Sequence, residues 1–356
     1  MDQTIDYKRF EAQMKNRPHV VVLGAGASVA AIPNGDANGK KISAMDGFIE
    51  RLGMGDIITS CDLYTNSDNL EDIYMELYER DAESSAIHNA RVELERRIEQ
   101  YFNSFQIPDE PTVYDFLILS LTKKDLIATF NWDPLLMQAY QRCSGYSKSL
   151  PELAFLHGTV AVGICDKDKR AGIVGKGCDL CGKVFTQMPL LYPIKDKDYT
   201  SNRFIADSWR VLQHYMKYAY FMTIFGYSAP KSDVGAISML KSAWGDIDNR
   251  NLEEIEVIDI ADEEEVHRSW EDFIYTHHYS FHKCFFDSSL GRFPRRTCDV
   301  LFDNKLKNIW IPAGKRGFRE GMDFYEINEF IAPLELDELS KGNNEILNNP
   351  YLMIFE

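Results

Sequence analysis

The residues of this 356-residue chain that could do chemistry fall in a few short segments. Gly24-Ala25-Gly26-Ala27-Ser28 ends an apolar run. Glycines there let a backbone turn tightly and a pyrophosphate come close, and a helix start beyond them favours its charge. The third glycine of the dinucleotide fingerprint is replaced by Val29, and no acid closes a clean second strand about twenty residues on. A hydride-transferring dehydrogenase is therefore disfavoured, and a plain strand-to-helix turn stays open. Thr129-Phe130-Asn131-Trp132-Asp133 follows a second apolar run, His157-Gly158 a third, and Gly226-Tyr227-Ser228-Ala229-Pro230 a fourth, with Asp233 just beyond. Asp259 ends a fifth. Amide, imidazole, carboxylate and glycine at strand ends suit a polar ligand held against the edge of a sheet.

The elements that must position them read as strands and helices in alternation. His19–Leu23, Asp125–Phe130, Tyr220–Phe225 and Ile255–Ile260 are largely apolar, without regular polar alternation, as expected of strands covered on both faces, and Leu153–Leu156 is a shorter candidate. Between them the spacing predicts helices over 84–105, with Ile87, Ala90, Leu94, Ile98, Tyr101 and Phe105 on one face, and over 203–219 and 232–243. A short helix is expected over 6–16, and Thr112 is a natural N-cap for Val113–Leu121 with Asp115 in its first turn. The fold class is α/β, a parallel sheet with helices on both faces. Residues 159–190, rich in Gly, Lys, Asp and Cys, read as an inserted module within a unit spanning 1–262. Residues 263–356 read as a C-terminal appendage, with Trp270 and Trp310 either in its core or on an assembly surface.

Bulk composition narrows the partners. Lys and Arg total 39 against 55 Asp and Glu, a net charge of −16, which repels a nucleic-acid backbone and makes direct nucleic-acid binding unlooked for. No apolar run reaches the roughly eighteen residues that span a membrane, and the polar N-terminal stretch lacks a signal-peptide core, so a cytoplasmic location is expected. Seven scattered cysteines do not form a disulfide framework. Cys178 and Cys181 have the spacing of a zinc knuckle and Cys165 is a third candidate ligand. No fourth is evident, so free thiols remain the favoured reading and structural zinc the alternative. His278, His282 and Cys284 form a second group whose aromatic surroundings favour packing.

Taken in order, the segments GAGAS, T-x-N-x-D, H-G and G-Y-S resemble the Sir2 (sirtuin) family, and in particular its divergent bacterial branch of Sir2-like NADases found in antiphage defence systems. Pro189-Leu190-Leu191-Tyr192-Pro193-Ile194-Lys195, followed by Trp209, resembles that branch as well, and the resemblance covers about residues 18–262. It implies a Rossmann-like sheet that binds NAD+ with its nicotinamide near Asn131 and His157. This chain has T-F-N-W-D where sirtuins have T-Q-N-I-D, and one cysteine pair plus Cys165 where they have two pairs. Both departures tell more against protein deacylation than against NAD+ binding.

The resemblance implies roles, each beside a plainer one. Asn131 holds a water or ribose hydroxyl, or else caps a turn. His157 is a general base whose ordinary pKa lies near working pH, or else a structural histidine. Asp133 accepts from the nicotinamide amide or steadies Asn131, or else serves the following helix dipole. Gly24, Ala25, Gly26, Ala27, Ser28, Thr129, Gly226 and Ser228 would contact phosphate or ribose, and Asp259 the adenosine ribose. Asp36 sits in a loop read as mobile, without a catalytic role. The leading expectation is an NAD+ glycohydrolase that depletes cellular NAD+ as a defence effector. It would be gated by homo-oligomerisation or by a partner ATPase or sensor subunit. Alternatives are an NAD-dependent deacylase or ADP-ribosyltransferase, or a non-catalytic module binding NAD or ADP-ribose. Truncating Asn131 or His157 is expected to abolish turnover and leave stability little changed.

Overall fold

The computed structural model describes residues 3–42, 47–194, 197–229, 233–245, 250–270, 279–309, 317–341 and 345–352. Lys195, Pro230, His278 and Trp310, named above, lie outside them. Nine strands are described: β1 (His19–Leu23), β2 (Leu126–Thr129), β3 (Glu152–Phe155), β4 (Val162–Cys165), β5 (Arg170–Ile173), β6 (Thr186–Gln187), β7 (Phe221–Phe225), β8 (Glu254–Ile258) and β9 (Tyr279–His282). Six form one sheet in the order β3-β2-β1-β7-β8-β9, and every neighbouring pair is parallel. The fold is thus α/β with a Rossmann-like parallel sheet, as the uninterrupted apolar runs require.

Alternation along β1 shows why Val20–Leu23 carries no polar residue. Val21 and Leu23 enter one core cluster, with the helices Leu70–Glu79, Ser85–Asn103, Val113–Leu119 and Leu135–Cys143. Val20 and Val22 enter the other, with Arg203–Tyr218 and Val234–Trp244. Local signals set the helix starts: Ser84 accepts from Ile87 N, and Thr112 with Asp115 forms a capping box. The chain builds outward from β1 through β2 to β3, then crosses back to lay β7 on the other side of β1. The sheet therefore changes direction between β1 and β7, where a crevice opens beyond the strand carboxyl ends.

The inserted segment forms a separate antiparallel sheet, β5-β4-β6. Residues beyond 262 do not stand apart from the main sheet. They supply its edge strand β9, paired to β8, and Phe285, Leu290, Phe318, Ile327 and Ile331 join the same core cluster as Val21. Trp270 is 1% exposed, so it packs in the core. No βα rhythm marks this part in the sequence because β9 is short and only partly buried.

A buried polar chain ties the helix Thr297–Lys307 to the sheet. Thr223 Oγ1 donates to Glu256 Oε2 at 3.1 Å, so its oxygen accepts from His19 Nε2 at 2.8 Å, and His19 Nδ1 accepts from Thr297 Oγ1 at 2.8 Å. Burial, against the pull of Asp125 and Glu256, lowers the His19 pKa from 6.5 to about 4. The unfolded chain takes up this proton near 6.5 and the folded one only near 4, so stability falls as pH drops through that window. Replacing His19 with Gln is expected to remove about one proton of that slope, ~1.4 kcal/mol per pH unit, in denaturant melts between pH 6.5 and 4.5. An unchanged slope would count against the buried neutral histidine.

Candidate functional site

The crevice at the β1–β7 switch holds a cavity of about 520 Å³. Its first wall is the glycine turn after β1. Gly24 N donates to Phe225 O at 3.0 Å and Gly26 N to Gly226 O at 2.9 Å. The two strand-end connections touch so closely that a Cβ on Gly24 would lie 2.5 Å from Tyr227 Cα, and one on Gly26 2.8 Å from Gly226 Cα. Gly226 also has φ +59, a left-handed conformation that side chains disfavour. The glycines are thus required first for contact between backbones. The Ala27 amide is also used, bonding Gly24 O at 3.1 Å.

Asn131 fastens the second wall to the first. Its side-chain nitrogen donates to Gly24 O at 2.8 Å and to Ser28 Oγ at 2.9 Å, and lies 3.3 Å from the Tyr114 hydroxyl. A carbonyl oxygen only accepts, so the atom facing Gly24 O must be the NH2 nitrogen, and Oδ1 is the end left for a ligand. Ser28 Oγ donates to Asp133 Oδ2 at 2.6 Å and therefore accepts from the Tyr114 hydroxyl at 2.7 Å. Asp133 Oδ1 accepts from Leu135 N at 3.0 Å, and burial raises the acid's pKa. Asp133 lines the cavity, yet both its oxygens are committed to Ser28 and the following helix. Of the roles read for it, steadying Asn131 (through Ser28) and the plainer one of serving the helix start are visible.

The remaining residues sort cleanly. Gly24, Ala25, Gly26, Ser28, Asn131, Asp133, His157, Gly226, Ser228 and Asp259 line one cavity. Ala27 and Thr129 do not: Ala27 is wholly buried, and Thr129 Oγ1 accepts from Asn131 N at 3.0 Å, a turn contact that sets the angle of Asn131. Asp259 reaches the cavity while its Oδ1 accepts from Ala261 N at 2.8 Å. Asp36 lies outside the lining, and its loop is pinned: Oδ1 accepts from Asn38 N and Lys40 N, and Oδ2 from Gln106 N. Burial favours its protonated form, but those three donors outweigh it and lower the pKa.

His157 closes the far end. It is 6% exposed, with Phe130 edge-on at 4.7 Å and Tyr199 stacked at 6.0 Å. Burial, opposed by Asp233 and aided by Lys197, pushes its pKa down to about 3, so the ring is neutral at ordinary pH. Tyr227, Lys197 and Asp233 also line the cavity, and Tyr114 stands behind it on Ser28. Tyr227 and Asp233 come with the G-Y-S segment after β7, whereas Tyr114 and Lys197 carry no motif signal and arrive from other parts of the chain. Trp132 Nε1 and His157 Nε2 are buried polar atoms on the lining residues with no partner among the described residues.

The cysteine group also assembles. Cys165, Cys178 and Cys181 place their sulfurs within 4.8 Å of one another, and Asp168 supplies the fourth donor the spacing did not reveal. Cys165 Sγ is 3.5 Å from Cys181 Sγ, and Cys178 Sγ is 3.2 Å from Asp168 Oδ2. Three thiols and one carboxylate this close fit a four-coordinate zinc ion. His282 instead faces Glu256, 3.4 Å away. No helix among the described residues is long and apolar enough to cross a membrane.

Because Asn131 holds the glycine turn, its truncation is expected to touch stability as well as turnover. Asn131→Ala should lower unfolding free energy by ~1–3 kcal/mol through the donors it withdraws, read as a shifted denaturation midpoint. A midpoint equal to wild type would contradict the assignment of its nitrogen to Gly24 O.

No family model matches the chain, and no curated protein matches it. Solved structures do. A Sir2 homologue in complex with NAD is 15% identical, with 85% of this chain and 91% of that chain covered and a TM-score of 0.37. A Sir2 homologue variant in complex with ADP-ribose is 14% identical, covering 85% and 94%, TM-score 0.36. A Sir2 bound to an acetylated peptide is 14% identical, covering 86% and 98%, TM-score 0.34. These three solved structures, to which the chain is similar, are Sir2 proteins.

Proposed function

We propose that this protein cleaves the nicotinamide–ribose bond of NAD+ with water as acceptor, giving nicotinamide and ADP-ribose. The observation that carries the reading is that Asn131 and His157, from the ends of two adjacent strands, line one cavity beside the glycine turn. Departure of neutral nicotinamide leaves positive charge on the ribose, and the lining bears four carboxylates, Glu71, Asp133, Asp233 and Asp259, against Lys197. That balance favours a developing cation. A neutral His157 can take a proton from water or a ribose hydroxyl, and where the group is water Asn131 Oδ1 can hold it by accepting from its second hydrogen. Nearby Trp132 Nε1 offers a donor for a carboxamide oxygen.

On the motif resemblance to the bacterial branch, the reading extends to an antiphage effector that exhausts cellular NAD+, with oligomerisation or a partner ATPase or sensor as the gate. Zinc at Cys165, Asp168, Cys178 and Cys181 would brace the inserted sheet, at a distance in sequence from the reacting groups. It would supply folding energy rather than chemistry.

Purified protein incubated with NAD+ should release nicotinamide and ADP-ribose without any acyl-peptide or protein acceptor, with candidate activators included in the assay. His157→Gln should lower the rate roughly a hundredfold or more while NAD+ still binds. Release that requires an acylated peptide would replace the hydrolase with a deacylase; binding with no release under any condition would leave a binding module. Elemental analysis should find about one zinc per chain, and Asp168→Ala with Cys178→Ser should abolish it. Metal-free wild-type protein of unchanged thermal stability would refute the zinc.

A further inference from the structure

The cavity contains a buried charged pair whose place beside His157 the general charge balance of the site does not explain. Lys197 and Asp233 are only 4% and 5% exposed as side chains, and they pair from two separate connections, one after the inserted sheet and one after β7. Asp233 Oδ2 accepts from the Tyr227 hydroxyl at 2.8 Å. Its Oδ1 takes the Lys197 ammonium and stands 3.8 Å from His157 Nε2. That nitrogen is buried and has no hydrogen-bond partner among the described residues. Taking two charges out of water is costly even when they pair. Here the pair is spent within reach of one imidazole nitrogen.

The physics of that contact is directional. A carboxylate oxygen attracts an N–H and repels a nitrogen lone pair, so Asp233 favours the tautomer with the proton on Nε2, which leaves the lone pair on Nδ1. A carboxylate alone would also draw a second proton onto the ring and turn it into an imidazolium, which is no base. Lys197, on the same oxygen, offsets that pull. The other groups packed on the ring are Phe130 and Tyr199, and the Tyr227 hydroxyl is turned to Asp233.

We propose that Asp233 and Lys197 are positioning residues for His157, the carboxylate selecting the ring's tautomer and the ammonium keeping the ring uncharged, so that it acts as a base through Nδ1. This rests on His157 being the base in NAD+ cleavage, but both parts can be read without turnover. Nitrogen-15 spectra of the full chain with labelled histidine, assigned through His157→Gln, report tautomer and charge directly. The wild type should show a neutral ring protonated on Nε2 from pH 5 to 8. Lys197→Met should raise the His157 titration midpoint by about one unit or more. Asp233→Asn should lower kcat for NAD+ cleavage roughly a hundredfold with KM little changed. A proton on Nδ1 in the wild type, or a midpoint unmoved by Lys197→Met, overturns the proposal. Should Asp233→Asn fail to fold, those two measurements decide it. Expected spectra without any NAD+ cleavage would uphold the trio and sink the hydrolase. Cleavage lost in His157→Gln with the wrong tautomer would do the reverse.

Discussion

The direct contact between the glycine turn at 24–26 and the backbone at Gly226 is the constraint on which the site depends. β1 and β7 are neighbours in register, Leu23 beside Phe225, so their connections leave the sheet side by side and compete for the same space. With no side chain at Gly24, Gly26 or Gly226, the two backbones meet and bond, Gly26 N to Gly226 O. Any Cβ there would push the walls of the cavity apart. The glycine pattern read in sequence as a phosphate-binding turn therefore has a packing role within the protein itself.

Around that contact the polar groups divide into two sets with different work. One set, Asn131, Ser28, Tyr114 and Asp133, is saturated internally and fixes the walls. Its members present little free hydrogen-bonding capacity beyond the Asn131 carbonyl. The other set, His157, Asp233, Lys197 and Tyr227, holds an imidazole whose Nε2 has no hydrogen-bond partner among the described residues. Both are buried against aromatic rings, Phe130 lying on Tyr227 with ring centres 4.3 Å apart. In so dry a setting each unpaired polar atom costs more than in water, and each paired one is more tightly held. That asymmetry makes the unpartnered atoms the informative ones.

How much was legible in sequence follows from how far each interaction reaches along the chain. Apolar runs without alternation gave the five strands of the doubly covered sheet core, since burial on both faces acts on consecutive residues. The cap at Thr112 was equally readable, because donor and acceptor lie within one turn. Convergence of Asn131, His157 and the glycine turn came from motif order at strand ends. The edge strand β9 left too short and too weakly buried a signal.

What the tertiary structure alone decided is the partner of each polar atom. Asp133 and Thr129 looked like ligand contacts until Ser28, Leu135 N and Asn131 N took their oxygens. Asp168, Lys197 and Asp233 gained their places from residues distant in the chain, brought near by the order of the strands and the path of the crossovers. Residue type and spacing state what a side chain can bond. Which of the competing partners it meets is set by three-dimensional proximity, and a linear pattern holds no record of that competition.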